Sequence, residues 1–187
     1  MAGNRPTKGL NKFTVQEATN KLSQRKLSRI IPTIPKADYA AGDVLFNSVE
    51  IPNAVLNPGG TSLLNTCTVI NRADQDWDLD LYFMQVATDF GTVDGAIDIS
   101  LSELEACKFL GFIHIDANIS SRNLINARVS QALLASNILN PMNPITLEAA
   151  AGSTSVYMAG VARMTSDTSG GGADVADPYE IILGIDY

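Results

Sequence analysis

The chain has 187 residues, 45% of them hydrophobic, 6% aromatic and 18% charged, with a net charge of −7. This much apolar side chain excludes a disordered protein, and two cysteines are too few for a disulfide-stapled scaffold. The sequence has no run of 18 apolar residues, which predicts no membrane span, and its first residues lack the apolar core of a secretory signal. The length fits one domain with an appendage.

Charge is distributed unevenly along the chain. Residues 1–36 contain eight Lys and Arg and one acid, a net of +7, whereas residues 37–187 contain five bases and nineteen acids, a net of −14. Such asymmetry is typical of a tail with its own partner. We therefore divide the chain into a basic N-terminal arm, 1–36, and a body, 37–187.

The arm carries a local helix signal. Thr14 and Glu17 have the spacing of a capping box, and Val15, Ala18 and Leu22 follow at helical intervals. A helix over 14–28 is therefore expected, although it is too short to be stable alone in water. Pro32 and Pro35 favour an extended link into the body. The residues expected to contact a partner are Arg5, Lys8, Lys12, Val15, Lys21, Leu22, Arg25, Lys26 and Arg29.

The body has the period-two pattern of strands. Strands are predicted at 44–51, 63–70, 77–84, 112–115, 145–149, 155–164 and 179–187, and Ser100 or Ser102 is expected to cap a short helix at 102–109. Hairpins are expected between 63–70 and 77–84, and between 145–149 and 155–164. Residues 121–139 fit either a strand or a helix. Seven or eight strands with one helix predict an all-β, jelly-roll-like sandwich that carries the partly helical arm.

The strand at 77–84 is predicted to have one apolar and one acidic face. Trp77, Leu79, Leu81 and Phe83 should face the core, while Asp78 and Asp80 face solvent. The run Asp74, Asp76, Asp78, Asp80 begins like a calcium loop but lacks its glycine and glutamate, so an acidic outer face that discourages edge pairing is the preferred interpretation.

Residues with catalytic potential are few. His114 is the chain's one histidine and lies in an apolar strand, where a hydrogen-bonded structural role is expected. Cys67 and Cys107 are expected to be small buried hydrophobes. The sequence contains no nucleophile elbow, phosphate-binding loop or dinucleotide-binding glycine motif. We therefore expect no enzyme activity, no metal and no cofactor.

Several segments occur in an order that resembles small virion proteins of tailed bacteriophages. They are AAGDVL at 40–45, GGTS at 59–62, ADQD at 73–76 before LDLYF at 79–83, ISLSEL at 99–104 before LG at 110–111, GSTSVY at 152–157 and LGI at 183–185. The resemblance covers about residues 34–187. It implies a capsid decoration, or cement, protein with a β-sandwich fold, although the long basic arm departs from that pattern.

This resemblance implies a location on the capsid exterior, synthesis in the host cytoplasm, and binding to the major capsid protein. Self-association is also expected, with a trimer slightly favoured over a dimer. One alternative is an internal virion protein that faces nucleic acid, but the acidic body makes nucleic acid an improbable partner. The other alternative is a glycan-binding jelly roll, which would need acidic residues clustered in a groove.

Overall fold

In a computed structural model of the chain, residues 24–35, 37–72, 78–116, 121–125, 127–133, 144–163, 166–167 and 179–187 are described. They form twelve strands and one helix, α1, at Leu101–Ala106. The strands are β1 Arg25–Ile30, β2 Asp38–Tyr39, β3 Val44–Ile51, β4 Thr61–Asn71, β5 Leu79–Met84, β6 Phe109–Ile115, β7 Ser121–Leu124, β8 Ala127–Leu133, β9 Ile145–Glu148, β10 Val156–Ala162, β11 Ser166–Asp167 and β12 Tyr179–Asp186.

The strands form two antiparallel sheets with the connectivity of a jelly roll. One sheet has the order β1-β12-β4-β8-β7, with β9 also paired to β4, and the other has the order β3-β10-β5-β6. The pairings are nested: β1 pairs with β12, β3 with β10, β4 with β8 and β9, and β5 with β6. The chain therefore follows the path of one long hairpin folded over twice. This confirms the predicted all-β, jelly-roll-like sandwich.

Alternating side chains build the core between the sheets. In β12, Ile181, Leu183 and Ile185 are buried and face the other sheet, from which Leu81 and Phe83 of β5 are fully buried. The predicted inward face of β5 is therefore confirmed for Leu79, Leu81 and Phe83, whereas Trp77 lies outside the described residues.

The outer face of the four-stranded sheet is also covered. Residues 85–108, here called the cover segment, run alongside β3, where Val93 bridges to Val44, and then return across the sheet through α1. Phe90 of this segment is fully buried against a second apolar cluster that includes Met84 and Ala159. The four-stranded sheet thus has apolar contacts on both faces.

Helix α1 is shorter than the sequence predicts. Ser100 caps it, and Ser100 and Glu103 complete a capping box. The helix ends at Ala106 rather than 109, because Lys108 takes a positive φ of 55° that no helix continues through. Phe109 already belongs to β6.

Both predicted hairpins are wrong. β4 and β5 lie in opposite sheets, and so do β9 and β10. A period-two pattern identifies a strand and its buried face but does not identify its partner, and jelly-roll strands cross from sheet to sheet. The ambiguous segment at 121–139 forms the hairpin β7–β8 as far as Leu133, and residues 134–139 lie outside the described part.

The helix predicted over 14–28 is wrong for its last residues. Residues 25–30 form β1, which pairs along its whole length with β12, and residues 14–23 lie outside the described residues. The exposed edge of β12 offers a complete hydrogen-bond ladder, which outweighs the weak helix tendency of so short a segment. Ile30 and Ile34 are buried in the core, so the described end of the arm packs with the body.

Leu81→Ala should reduce the free energy of unfolding by about 2–5 kcal/mol, because a fully buried side chain is removed and a cavity remains. The matched control is Leu101→Ala, whose leucine is 71% exposed and should change stability by less than about 0.5 kcal/mol. Urea unfolding followed by circular dichroism measures both. Equal effects would contradict the described burial.

Candidate functional site

The predicted arm contacts divide into two groups. Arg5, Lys8, Lys12, Val15, Lys21 and Leu22 lie outside the described residues. Arg25, Lys26 and Arg29 lie in β1 and contact the same chain. The Arg25 guanidinium donates to Asp186 at 2.7 Å, and Lys26 donates to the carbonyl of Asn53 at 3.1 Å. The structure therefore does not bring these three residues together with a projecting arm.

Two ion-pair groups lie on the outer side of the six-stranded sheet. Arg25 and Asn65 both donate to Asp186, and the hydrogen bond from Arg25 lowers the pKa of the Asp186 carboxyl. Arg29 and Arg72 both donate to Glu180, the latter at 2.7 Å. These contacts attach β1 and the end of β4 to β12.

We name the outward-facing side of β1, β12, β4, β8 and β7 the basic face. Its rows follow the register: Leu27, Gly184 and Thr66 form one row; Arg29, Ile182, Thr68 and Gln131 form the next; and Glu180, Ile70, Val129 and Arg122 form a third. Among the described, outward-facing residues of these five strands and Arg72 at the end of β4, four arginines (25, 29, 72 and 122) and two acids (180 and 186) give a net charge of +2. Glu148, at the corner of the same sheet, is bonded to Gln85 beside the other sheet.

The cover segment has the opposite charge. It contains Lys108 and five acids, Asp89, Asp94, Asp98, Glu103 and Glu105, a net of −4, and all six side chains are exposed. Among the ion pairs found within the described residues, none involves these five acids. Hydrogen bonds from Ser100 lower the pKa of Glu103, so this carboxyl stays charged at neutral pH.

Asp80 is buried, contrary to the predicted acidic outer face of β5. Its residue is only 1% exposed, and its oxygens contact three side chains. His114 Nδ1 lies 2.7 Å from Oδ1, while Arg163 Nε donates to Oδ2 at 2.5 Å and the Tyr82 hydroxyl donates to Oδ2 at 3.3 Å. The prediction that the second face of β5 is solvated is therefore wrong, because the cover segment and these partners enclose that face.

This cluster holds two polar side chains at the surface. The His114 and Arg163 side chains are 43% and 47% exposed, although the carboxylate that holds them is 2% exposed. The expected hydrogen-bonded role of His114 is confirmed. In the sequence, Asp80 could have been recognised as a carboxylate inside the apolar run LDLYFM, but nothing near it identifies Arg163, which is 83 residues away.

An aromatic cluster adjoins the same face. Tyr82 packs against Phe90, Phe109 and Phe112, and the Phe112 ring stacks on Tyr82 at a centroid distance of 5.9 Å and an angle of 25°. Phe112 is 51% exposed. Phe112 and His114 are two residues apart and both lie on the outer side of β6. A flat aromatic surface therefore lies near the imidazole of His114, which forms a hydrogen bond.

The remaining predicted site features are simpler. Cys67 and Cys107 are free and buried, as predicted, and burial raises the pKa of Cys67 to about 12. Asp74 and Asp76 of the acidic run lie outside the described residues. In the part of the chain that the structure describes, no three His, Cys, Asp or Glu side chains converge as a metal site needs. The described helix is too short to cross a membrane.

Comparisons with known proteins identify no family. No family model and no curated protein matches the sequence. Three solved chains match in structure. One belongs to the structure of deformed wing virus carrying the GFP gene; it has 9% identity and a TM-score of 0.38, and the match covers all of this chain and 87% of that one. The resemblance to tailed-phage decoration proteins therefore stays a prediction, and the jelly-roll assignment rests on strand order.

Arg163→Leu should destabilise the protein by about 1–3 kcal/mol, because the buried Asp80 carboxylate loses its guanidinium donor. Arg25→Leu is the matched control and should cost less, since its ion pair with Asp186 is exposed. Urea unfolding at neutral pH compares the two variants. An Arg163→Leu variant as stable as the unaltered protein would show that Asp80 does not depend on this contact.

Proposed function

We propose that the chain is a structural virion protein that works through protein contacts. The observation that carries the proposal is the nested strand order of the two sheets, which is the jelly-roll architecture used by viral capsid proteins, lectins and cupins. A shared architecture is an argument by analogy, since function resides in the sites built on a fold. The exposed surfaces of this sandwich supply the rest of the argument.

The surface chemistry favours adhesion over catalysis. Both sheets carry exposed apolar side chains beside ionic groups, including Leu27 at 62% exposure and Phe112 at 51%. Mixed apolar and charged surfaces of this kind are typical of protein interfaces. The His114 side chain, by contrast, is held by the buried Asp80 carboxylate.

The finer proposal is decoration of a tailed-phage capsid from the outside by binding the major capsid protein. It rests on the sequence resemblance and on the basic N-terminal segment. Only residues 1–23 of the arm remain candidates for this contact, because Gln24 is bonded to Tyr187 and β1 belongs to the sheet. Residues 1–23 retain Arg5, Lys8, Lys12 and Lys21 against Glu17, a net of +3.

Replacing Arg5, Lys8, Lys12 and Lys21 with Gln in the full chain should weaken particle binding at least about fourfold, since each exposed ion pair contributes about 0.2–1 kcal/mol. Lys108→Gln serves as a control in the body. Co-sedimentation with purified full particles, with immunogold labelling of intact virions, measures binding and location. Unchanged binding of the fourfold variant would exclude the segment as anchor, and absence from the particle exterior would exclude decoration.

A second candidate function, glycan binding, is favoured by the aromatic surface. Sugar rings stack on exposed aromatic faces, and Phe112 lies flat on Tyr82 near the His114 and Arg163 side chains. If glycans are the ligand, a glycan array should show a hit with the full chain that Phe112→Ala abolishes and Leu101→Ala preserves. No hit, or a hit insensitive to Phe112→Ala, would reject this candidate.

A further inference from the structure

Surfaces of opposite charge lie on opposite sides of the sandwich. The basic face is the outward side of β1, β12, β4, β8 and β7, and its described residues carry a net charge of +2. The cover segment, with a net charge of −4, lies over the outer side of the other sheet. The two surfaces therefore point away from each other and cannot meet within one molecule.

Each surface also exposes apolar side chains that nothing in the described residues covers. On the basic face, Leu27 is 62% exposed and Ile182 and Ile70 are half-buried. On the cover segment, Leu101 is 71% and Ile97 38% exposed. Burial of such side chains supplies attraction, and the surrounding charges select the orientation of the contact.

We propose that the basic face of one copy binds the cover segment of a second copy. Two basic faces repel each other, and so do two cover segments, whereas the contact between unlike surfaces brings opposite charges together. This orientation also limits the repulsion expected between chains with a net charge of −7. The contact is heterologous, so it closes into a ring where the rotation allows and otherwise extends.

The size of the surface predicts that a single contact is weak. Five neighbouring strands about 4.8 Å apart and six residues of about 3.3 Å each give a face of roughly 24 by 20 Å. That area, about 480 Å², is smaller than the roughly 800 Å² that each partner contributes to a stable interface. Repetition of the contact in an assembly would raise its overall strength.

The inference stands apart from the virion role, because self-association can be measured with the protein alone. One full-length variant, Arg122→Glu with Gln131→Glu, makes the basic face negative. A second, Asp94→Lys with Asp98→Lys and Glu105→Lys, makes the cover segment positive. All five side chains are exposed. A control with Thr33→Glu and Asn57→Glu adds negative charge at exposed turns outside both surfaces.

Sedimentation equilibrium over a concentration series should show association of the unaltered protein and of the control. The cover-segment variant on its own should associate at least about threefold more weakly, the lower range for the loss of three exposed ion pairs. The basic-face variant on its own, which loses one cation and gains two carboxylates, should also associate more weakly than the unaltered protein. An equimolar mixture of the two should recover association, since unlike surfaces face each other again. Circular dichroism and thermal melting confirm that each variant is folded.

Three results would overturn the proposal. The first is an unaltered protein that stays monomeric throughout. The second is a mixture that fails to recover association, because any contact between unlike faces must respond to the exchange. The third is association that the cover-segment variant loses but the basic-face variant keeps. That result would indicate that the acids bind another basic element, such as residues 1–23, instead of the basic face.

Discussion

The pairing of β1 with β12 is the outermost of the nested strand pairings and encloses all the others in sequence. It joins residues 25–30 to residues 181–186 and places the two ends of the described chain side by side. The other pairings lie inside this one in sequence, from β3 with β10 to β5 with β6. The ion pairs of Arg25 with Asp186 and of Arg29 with Glu180 connect the same two strands. A basic segment that the sequence assigns to a free arm is therefore part of the sheet.

A second constraint is that the four-stranded sheet packs on both faces. The cover segment buries Phe90 and Met84 on the outer side, while Leu81 and Phe83 fill the inner side. On the same outer side, Asp80 is buried and bound by His114, Arg163 and Tyr82. A buried carboxylate needs such partners, and two of them, His114 and Arg163, remain partly exposed. This cluster leaves an aromatic and ionic surface available to a ligand.

The local sequence pattern predicted the strands well, because side chains that point in turn to the core and to solvent appear as alternating apolar and polar residues. Val44–Ile51 has the expected limits, the last strand begins at Tyr179 as expected and ends one residue early at Asp186, and the Ser100 cap of α1 is correct. Partner choice was not predictable, since β4 carries no local mark that distinguishes β12 from β5. The burial of Asp80 is accompanied by contacts with Arg163 and His114, which lie 83 and 34 residues away and do not follow from the residues beside it. The strand identity of Arg25–Ile30 likewise depends on β12, more than 150 residues away.

The pairing of the chain's ends also has a consequence for synthesis. A ribosome makes β1 early, but the edge to which β1 binds exists only after Tyr179–Asp186 has been translated. Until β12 has been made, Leu27, Ile30 and the inner face of β4 lack one of their neighbours. Folding dominated by such distant contacts is slow and leaves apolar strand edges open to other chains. Premature contacts of these strands with other chains would therefore compete with the sandwich until β12 emerges and closes the β1–β12–β4 part of the sheet.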